Sequence, residues 1–368
     1  MTAQPEEQLP FLPYARQSLD RSDVEAVVDV LEGDWLTQGP AVGAFEAALA
    51  EVTTARHAVA FSSGTAALHA ACAVAGLGAG DRVGVPALTF AASVACALHV
   101  GAAPVLLDIE PATLNLDPAA VPVDLDGLIA VHYAGLPVDL TRLRYRPRVI
   151  IEDAAHALGA LTPDGPVGSC ARSDLCCLSF HPVKPITTGE GGAVTTNDDA
   201  MAARLRSFRT HGTTPTPEDG PWAYDIAVAG FNYRLTDLQA ALGTSQLRRL
   251  EEFIARRNQL AERYRRQLAH LPVTLPPAAP DSWRHGYHLF PVRVGNRRRV
   301  YDGLRAQQIG VQVHYVPLHH HTAFRHLAGP GDLPGTEEAY GGLLSLPMYP
   351  AMTDGDQNRV VQALTELL

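Results

Sequence analysis

The 368-residue chain predicts an α/β fold: a mostly parallel sheet with helices on both faces, followed by a smaller α+β unit. Three observations carry that prediction. From His57 onward, short apolar runs alternate with helical stretches. The runs are apolar along their whole length, as strands covered on both faces are. The chemically distinctive residues fall where these runs end, and sheets of this kind bind ligands at the carboxyl ends of their strands.

Asp20 or Ser22 is a natural N-cap for the amphipathic pattern through Val28, and Trp35–Pro40 reads as a turn before a second helix near 42–52. Strands follow at 57–61, 82–86, 104–109, 128–132, 148–153, 175–180 and 192–196. Ser62-Ser63-Gly64-Thr65 opens an alanine-rich helix to about Ala75, and a further helix spans 90–99. After Gly243 the pattern becomes one long charged amphipathic helix with arginines from Arg248 to Arg266. A Pro/Ala-rich connector at 272–281, strand-like runs at 287–294 and 310–315, and a helix at 353–367 complete the chain. The domain division expected is 1–249 for the sheet-bearing unit with its N-terminal segment, and 250–368 for the small C-terminal unit.

Composition narrows the function. A 46% hydrophobic content supports a sizeable core. The net charge of −10 and the absence of a Lys/Arg-rich run argue against nucleic acid and anionic membranes as partners. No apolar run is long enough to span a bilayer. Residues 1–10 are polar, with Glu6 and Glu7, unlike a signal peptide. Five cysteines without C-x-x-C spacing read as buried free thiols in a reducing cytoplasm, where the protein is expected.

One lysine stands against 28 arginines: Lys184, in Ser179-Phe180-His181-Pro182-Val183-Lys184, ahead of Pro185-Ile186-Thr187-Thr188-Gly189-Glu190-Gly191-Gly192. A guanidinium stays protonated, whereas an ε-amine can lose its proton when desolvated and condense with a carbonyl. A chain otherwise converted to arginine keeps lysine where amine chemistry requires it. Gly64-Thr65-Ala66 at a strand-to-helix turn offers backbone N–H groups and a hydroxyl to a phosphate, or equally an ordinary N-cap. Asp153 ends an apolar strand, where a carboxylate needs a cation or strong donors. A protonated pyridine nitrogen is such a cation; a cap or internal salt bridge is the plainer alternative. Together the three features fit one cofactor, pyridoxal 5′-phosphate (PLP).

The same residues carry a family resemblance. The 179–192 run resembles the cofactor-lysine segment of the DegT/DnrJ/EryC1/StrS sugar aminotransferases. Glu152-Asp153-Ala154-Ala155-His156-Ala157 is similar to the family's pyridine-nitrogen motif. Gly230-Phe231-Asn232-Tyr233-Arg234 with Asp237 and Gln239–Gly243 is similar to its interface motif. Segments 35–40, 62–68 and 313–319 match as well. The resemblance implies a fold-type-I, aspartate aminotransferase-like transferase. Within the family, Phe-His-x-x-Lys followed by Thr-x-Glu-Gly-Gly resembles the pseudaminic-acid-type enzymes that aminate C4 of a UDP-4-keto-6-deoxy sugar.

Carried over by position, Lys184 binds the cofactor as a Schiff base and shuttles a proton, and Asp153 holds the pyridine nitrogen protonated. Phe90 stacks on the ring, with plain core packing as its alternative. Gly64, Thr65, Ala66 and Ser179 hold the phosphate, and His156 meets the ring hydroxyl. Asn232 reaches the phosphate from a neighbouring subunit, which implies a homodimer with the site at its interface. Thr37, His181, Arg234, His314, Tyr315 and His319 are the implied substrate or interface contacts; Arg234 reads equally as an interface ion pair. His319-His320-His321 invites a metal reading, but three consecutive residues cannot all face one ion in regular structure and no carboxylate or cysteine partner is expected near them, so no metal is expected. The expected substrates are a nucleotide sugar and an amine donor, glutamate. The alternatives are C3 nucleotide-sugar or aminocyclitol amination, and a non-catalytic regulator that keeps the fold.

Overall fold

The computed structural model describes residues 10–329 and 331–368. The polar stretch at 1–9, read above as unlike a signal peptide, lies outside the described residues. Seven strands form the main sheet: β1 (His57–Phe61), β2 (Arg82–Pro86), β3 (Ala103–Leu107), β4 (Gly127–Val131), β5 (Val149–Asp153), β6 (Leu175–Ser179) and β7 (Gly192–Thr196). Their order across the sheet is β1-β7-β6-β5-β4-β2-β3. Only β7 runs antiparallel to its neighbours, pairing with β1 and β6. The other pairs are parallel.

Alternate residues of each strand enter opposite cores, which is why these runs are apolar throughout. Val59, Ile129, Ile151 and Cys177 pack with helices α3 (Gly64–Val74), α4 (Ala91–His99) and α5 (Asp199–Phe208). Ala60, Cys176 and Leu178 pack on the other face with α2 (Pro40–Thr53), α6 (Asp237–Leu247) and the first turn of α7 (Leu250–Leu268). Leu128, Ala130 and Ile150 continue that face beneath Leu116 and Leu140. All five cysteines are buried and unbridged.

Helix α1 (Arg21–Glu32) starts at Asp20, whose side chain accepts the backbone N–H of Asp23 in a capping box. Asp20 and Asp23 both pair with Arg249. That anchorage lies where the expected single helix after Gly243 divides into α6 and α7, at Arg248-Arg249. Helix α2 has Gly39 at its N-cap, without a side chain to cap it. Asp237 performs the task from afar, accepting the N–H groups of Gly39 at 2.8 Å and Ala41 at 2.9 Å.

In the C-terminal part, the second half of α7 packs with β8 (Phe290–Arg293), α8 (Arg297–Ala306), β9 (Leu343–Leu346) and α10 (Asp354–Leu367) around a separate core. The expected strand at 310–315 does not form: only Gln312 bridges, to Ser345. Its alternating pattern has another cause, since Gln312–Val316 forms cavity wall. The partner of β8 is instead β9, antiparallel. Leu343-Leu344-Ser345-Leu346 lacks the alternation that marks a strand in sequence, because the strand is buried on both sides.

Candidate active site

The segment carrying Lys184 turns tightly. The Lys184 N–H donates to the His181 carbonyl at 2.9 Å, while Phe180 is fully buried edge-on against Phe45. The Thr187 hydroxyl and the Thr188 N–H both donate to the Phe180 carbonyl. Gly189 sits at φ +78°, a region side chains disfavour, and lets the segment turn back into β7. The lysine amine is thereby held at the wall of a cavity of about 670 Å3 at the carboxyl ends of β1, β5 and β6.

Burial pulls the Lys184 pKa from 10.5 down to about 8, with the Asp153 carboxylate opposing the shift. Asp153 is 6% exposed. It accepts the Ser93 hydroxyl at 2.7 Å and the Ala155 N–H at 3.2 Å, and no ion pair reaches it among the described residues. A buried carboxylate with two donors and no counter-cation has room for a cationic partner in the cavity it faces.

Opposite it, Ser63 caps α3 by accepting the Ala66 N–H at 3.1 Å. The N–H groups of Gly64 and Thr65, in the first turn of α3, have no intrahelical acceptor. Both residues line the cavity beside Ser179. A Cβ on Gly64 would stand 2.9 Å from the Ser179 Cβ, so the close approach of these two loops depends on glycine. Helix N-terminus, hydroxyls and bare backbone form an anion cradle.

The third wall carries imidazoles and phenols. The Ala134 N–H donates to His156 Nδ1 at 3.2 Å, which places the His156 proton on Nε2, facing Tyr315 Oη at 3.0 Å. Burial, then the nearby Lys184 charge, holds His156 well below the usual histidine range. Burial and Lys184 likewise lower His314 to about 4. Burial and Asp153 raise the Tyr315 phenol, so it stays a proton donor.

The description of the DegT/DnrJ/EryC1/StrS aminotransferase family matches residues 17–365. The chain belongs to this aminotransferase family. It is 34% identical over 380 residues to the spore coat polysaccharide biosynthesis protein SpsC of Bacillus subtilis, covering 97% of each chain. It is similar in structure to the putative sugar aminotransferase Spr1654 of Streptococcus pneumoniae in its PMP form, with TM-score 0.91, 28% identity and 97% and 98% of the two chains covered. It is also similar to Helicobacter pylori PseC, an aminotransferase involved in the biosynthesis of pseudoaminic acid, with TM-score 0.89, 27% identity and 97% and 99% coverage. The aminotransferase is a PLP-dependent transaminase of fold type I.

The site fits PLP on its own geometry: a helix N-terminus packed so closely on Ser179 that a Cβ at Gly64 would clash, a buried carboxylate without an ion pair, and an amine of lowered pKa all line one cavity. Of the residues singled out from sequence, Gly64, Thr65, Phe90, Asp153, His156, Ser179, His181, Lys184, His314 and Tyr315 share this cavity. Phe90 is 58% exposed over it, which separates it from core packing. Ala66 is buried, offering its N–H only to Ser63.

Four others do not line the cavity of this chain. Thr37 is exposed and bridges Thr236. Asn232 is exposed and bridges Thr210, and Arg234 lies two residues beyond it. His319 turns its Nε2 to Glu337 at 2.6 Å. Glu337 corrects one expectation: a carboxylate does stand beside the histidine run, 18 residues away in sequence. Sequence reasoning missed Ser93, Tyr14 and His288. Ser93 gave no signal because an interior helix serine has no motif. His288, whose Nδ1 is buried without a partner and whose ring lies 4.4 Å from His156, sits in a strand-like run that reads as core.

Proposed function

We propose that the enzyme transfers an amino group from glutamate to C4 of a nucleotide-linked 4-keto-6-deoxy sugar, the activity of a UDP-4-amino-4,6-dideoxy-N-acetyl-β-L-altrosamine transaminase. The observation carrying this reading is the lone desolvated lysine in a cavity of about 670 Å3, which has space beyond the cofactor for a large polar ligand. The likeness to PseC supports the sugar.

PLP, when bound, supplies an electron sink conjugated to the carbon that gives up the proton. The chain does the rest. Lys184 Nζ, near neutrality in pKa, takes the proton from the donor's α-carbon. Asp153, oriented by Ser93, holds the ring-nitrogen proton. Gly64, Thr65, Ala66 and Ser179 would hold the phosphate, Phe90 would cover the ring, and His156 would meet its hydroxyl. His181, His314, Tyr315, Thr37, Arg234 and His319 would serve substrate or subunit contacts.

The reading includes a homodimer. Trp222, Tyr224, Ile226 and Phe231 are exposed apolar residues leading into Asn232. Packing against a second copy would bury them and bring Asn232 to that copy's phosphate. It also includes the division at 249/250, a large cofactor-holding domain and a small domain that closes the cavity, and a cytoplasmic location for the soluble dimer.

The test incubates the PMP form with UDP- and dTDP-linked 4-keto sugars, 3-keto sugars and keto-inositols while following the return of the PLP absorbance. Conversion confined to a 4-keto nucleotide sugar is expected. Conversion of only 3-keto sugars or cyclitols removes the C4 assignment, and no conversion of any ketone, with PLP bound, favours the regulator.

A further inference from the structure

His320 and Glu337 hold chemistry that the proposed amino-group transfer does not use, and His319, on the same turn, joins them. His319 and His320 lie in a 3-10 turn, Leu318–His320, and Glu337 lies on α9 (Pro334–Gly342). Both Nε2 atoms reach the same carboxylate oxygen, at 2.6 Å from His319 and 2.7 Å from His320. The three donor atoms lie within 4.8 Å of one another. We propose that His319, His320 and Glu337 form a site for a first-row transition dication such as Zn2+, which fastens the rim of the substrate cavity to α9.

Four features carry the proposal. Two imidazoles and one carboxylate suit Zn2+, Co2+ or Ni2+, whereas Mg2+ and Ca2+ prefer oxygen ligands. The two imidazole rings stand 4.6 Å apart at 76°. Two rings sharing one ion at about 2.1 Å from each nitrogen are spaced on that scale.

Charge favours a cation as well. In a chain with 28 arginines, Glu337 pairs with none; its ionic partners among the described residues are the two histidines.

The donors are also held in place before any ion arrives. The first turn of α9 is tied to the end of β3 by Asp108, which accepts the Gly335 N–H at 2.7 Å and both donors of Thr336 at 2.7 Å. The turn is tied to the end of β2 by the Leu318 N–H, which donates to the Ala87 carbonyl at 2.9 Å. The backbone is fixed on both sides, so binding asks only that the side chains part from hydrogen-bond contact to the wider donor spacing around an ion. An ion here would fix the 313–316 wall, because the same short segment carries Tyr315 and the turn.

Untagged holoenzyme, stripped with a chelator and dialysed, is titrated calorimetrically with ZnCl2 and separately with MgCl2. The expected result is one saturable Zn2+ site per chain and no Mg2+ binding, with Zn2+ affinity reduced at least tenfold in both Glu337→Gln and His320→Asn. Circular dichroism and retained PLP absorbance show that each variant is folded. In the Co2+-loaded wild type, a visible ligand-field spectrum that changes in His320→Asn reports imidazole coordination directly. Absence of saturable Zn2+ binding, or binding unchanged in the two folded variants, overturns the proposal.

Discussion

Replacing Lys184 with methionine tests the desolvated amine at the level of stability, without turnover. Below pH 8 the folded chain keeps a cation in the cavity wall whose pKa has fallen from 10.5 to about 8. At 1.36 kcal/mol per pH unit, that fall corresponds to about 3 kcal/mol, and partial contact with cavity water reduces it to about 2 kcal/mol. Between pH 8 and 10.5 the unfolded chain binds a proton that the folded chain has released, so stability rises with pH across that window. Apo Lys184→Met is therefore expected to be more stable than the apo wild type by about 2 kcal/mol at pH 7, with the gap closing towards pH 10.5. Urea denaturation of both apo proteins from pH 6 to 10 measures the gap. With PLP added, the order reverses, because only the wild type gains covalent cofactor and its yellow colour. An apo variant less stable than wild type at pH 7, or a gap that does not change with pH, would falsify the desolvation argument.

Gly64→Ala places a methyl 2.9 Å from Ser179 Cβ and is expected to weaken PLP binding about 10- to 100-fold in a fluorescence titration, from an overpacking cost of about 1–3 kcal/mol. Ser93→Ala removes a charge-assisted donor from Asp153 and should destabilise the apoenzyme by about 1–3 kcal/mol. PLP should narrow that loss by supplying a cation to Asp153, so equal losses with and without cofactor count against the pairing. Asp237→Ala leaves the Gly39 and Ala41 N–H groups unpaired and should lower stability by about 2 kcal/mol in thermal unfolding. Asn232→Ala should loosen PLP several-fold while the dimer persists on size exclusion; unchanged cofactor affinity removes its cross-subunit role.

Much of the sheet-bearing part was legible because its signals are local. Strands 57–61, 82–86 and 192–196 appear at the residues read from sequence, since each apolar run is bounded by polar or glycine-rich turns. The lysine stood out through composition, and the strand-end positions of Ser62–Thr65, Asp153 and Ser179 followed from the alternation of elements. The C-terminal part was harder to read. Segment 310–315 alternates because it lines a cavity, and 343–346 is apolar throughout because it is buried on both sides, so each shows the other's periodicity. The break between α6 and α7 depends on Arg249 meeting Asp20 and Asp23, more than 220 residues away in sequence.

The sequence by itself singled out the candidate groups: one lone lysine amine, one carboxylate at a strand end, and one glycine-led turn, each marked by short-range features of its own segment. Tertiary structure alone decided how those groups are tuned and what joins them. Burial lowers the Lys184 pKa, Ser93 reaches Asp153 across 60 residues, and Glu337 closes on a histidine run that had no carboxylate nearby in sequence. Desolvation and pairing depend on which atoms the fold brings within a few ångströms, and linear spacing does not encode those distances.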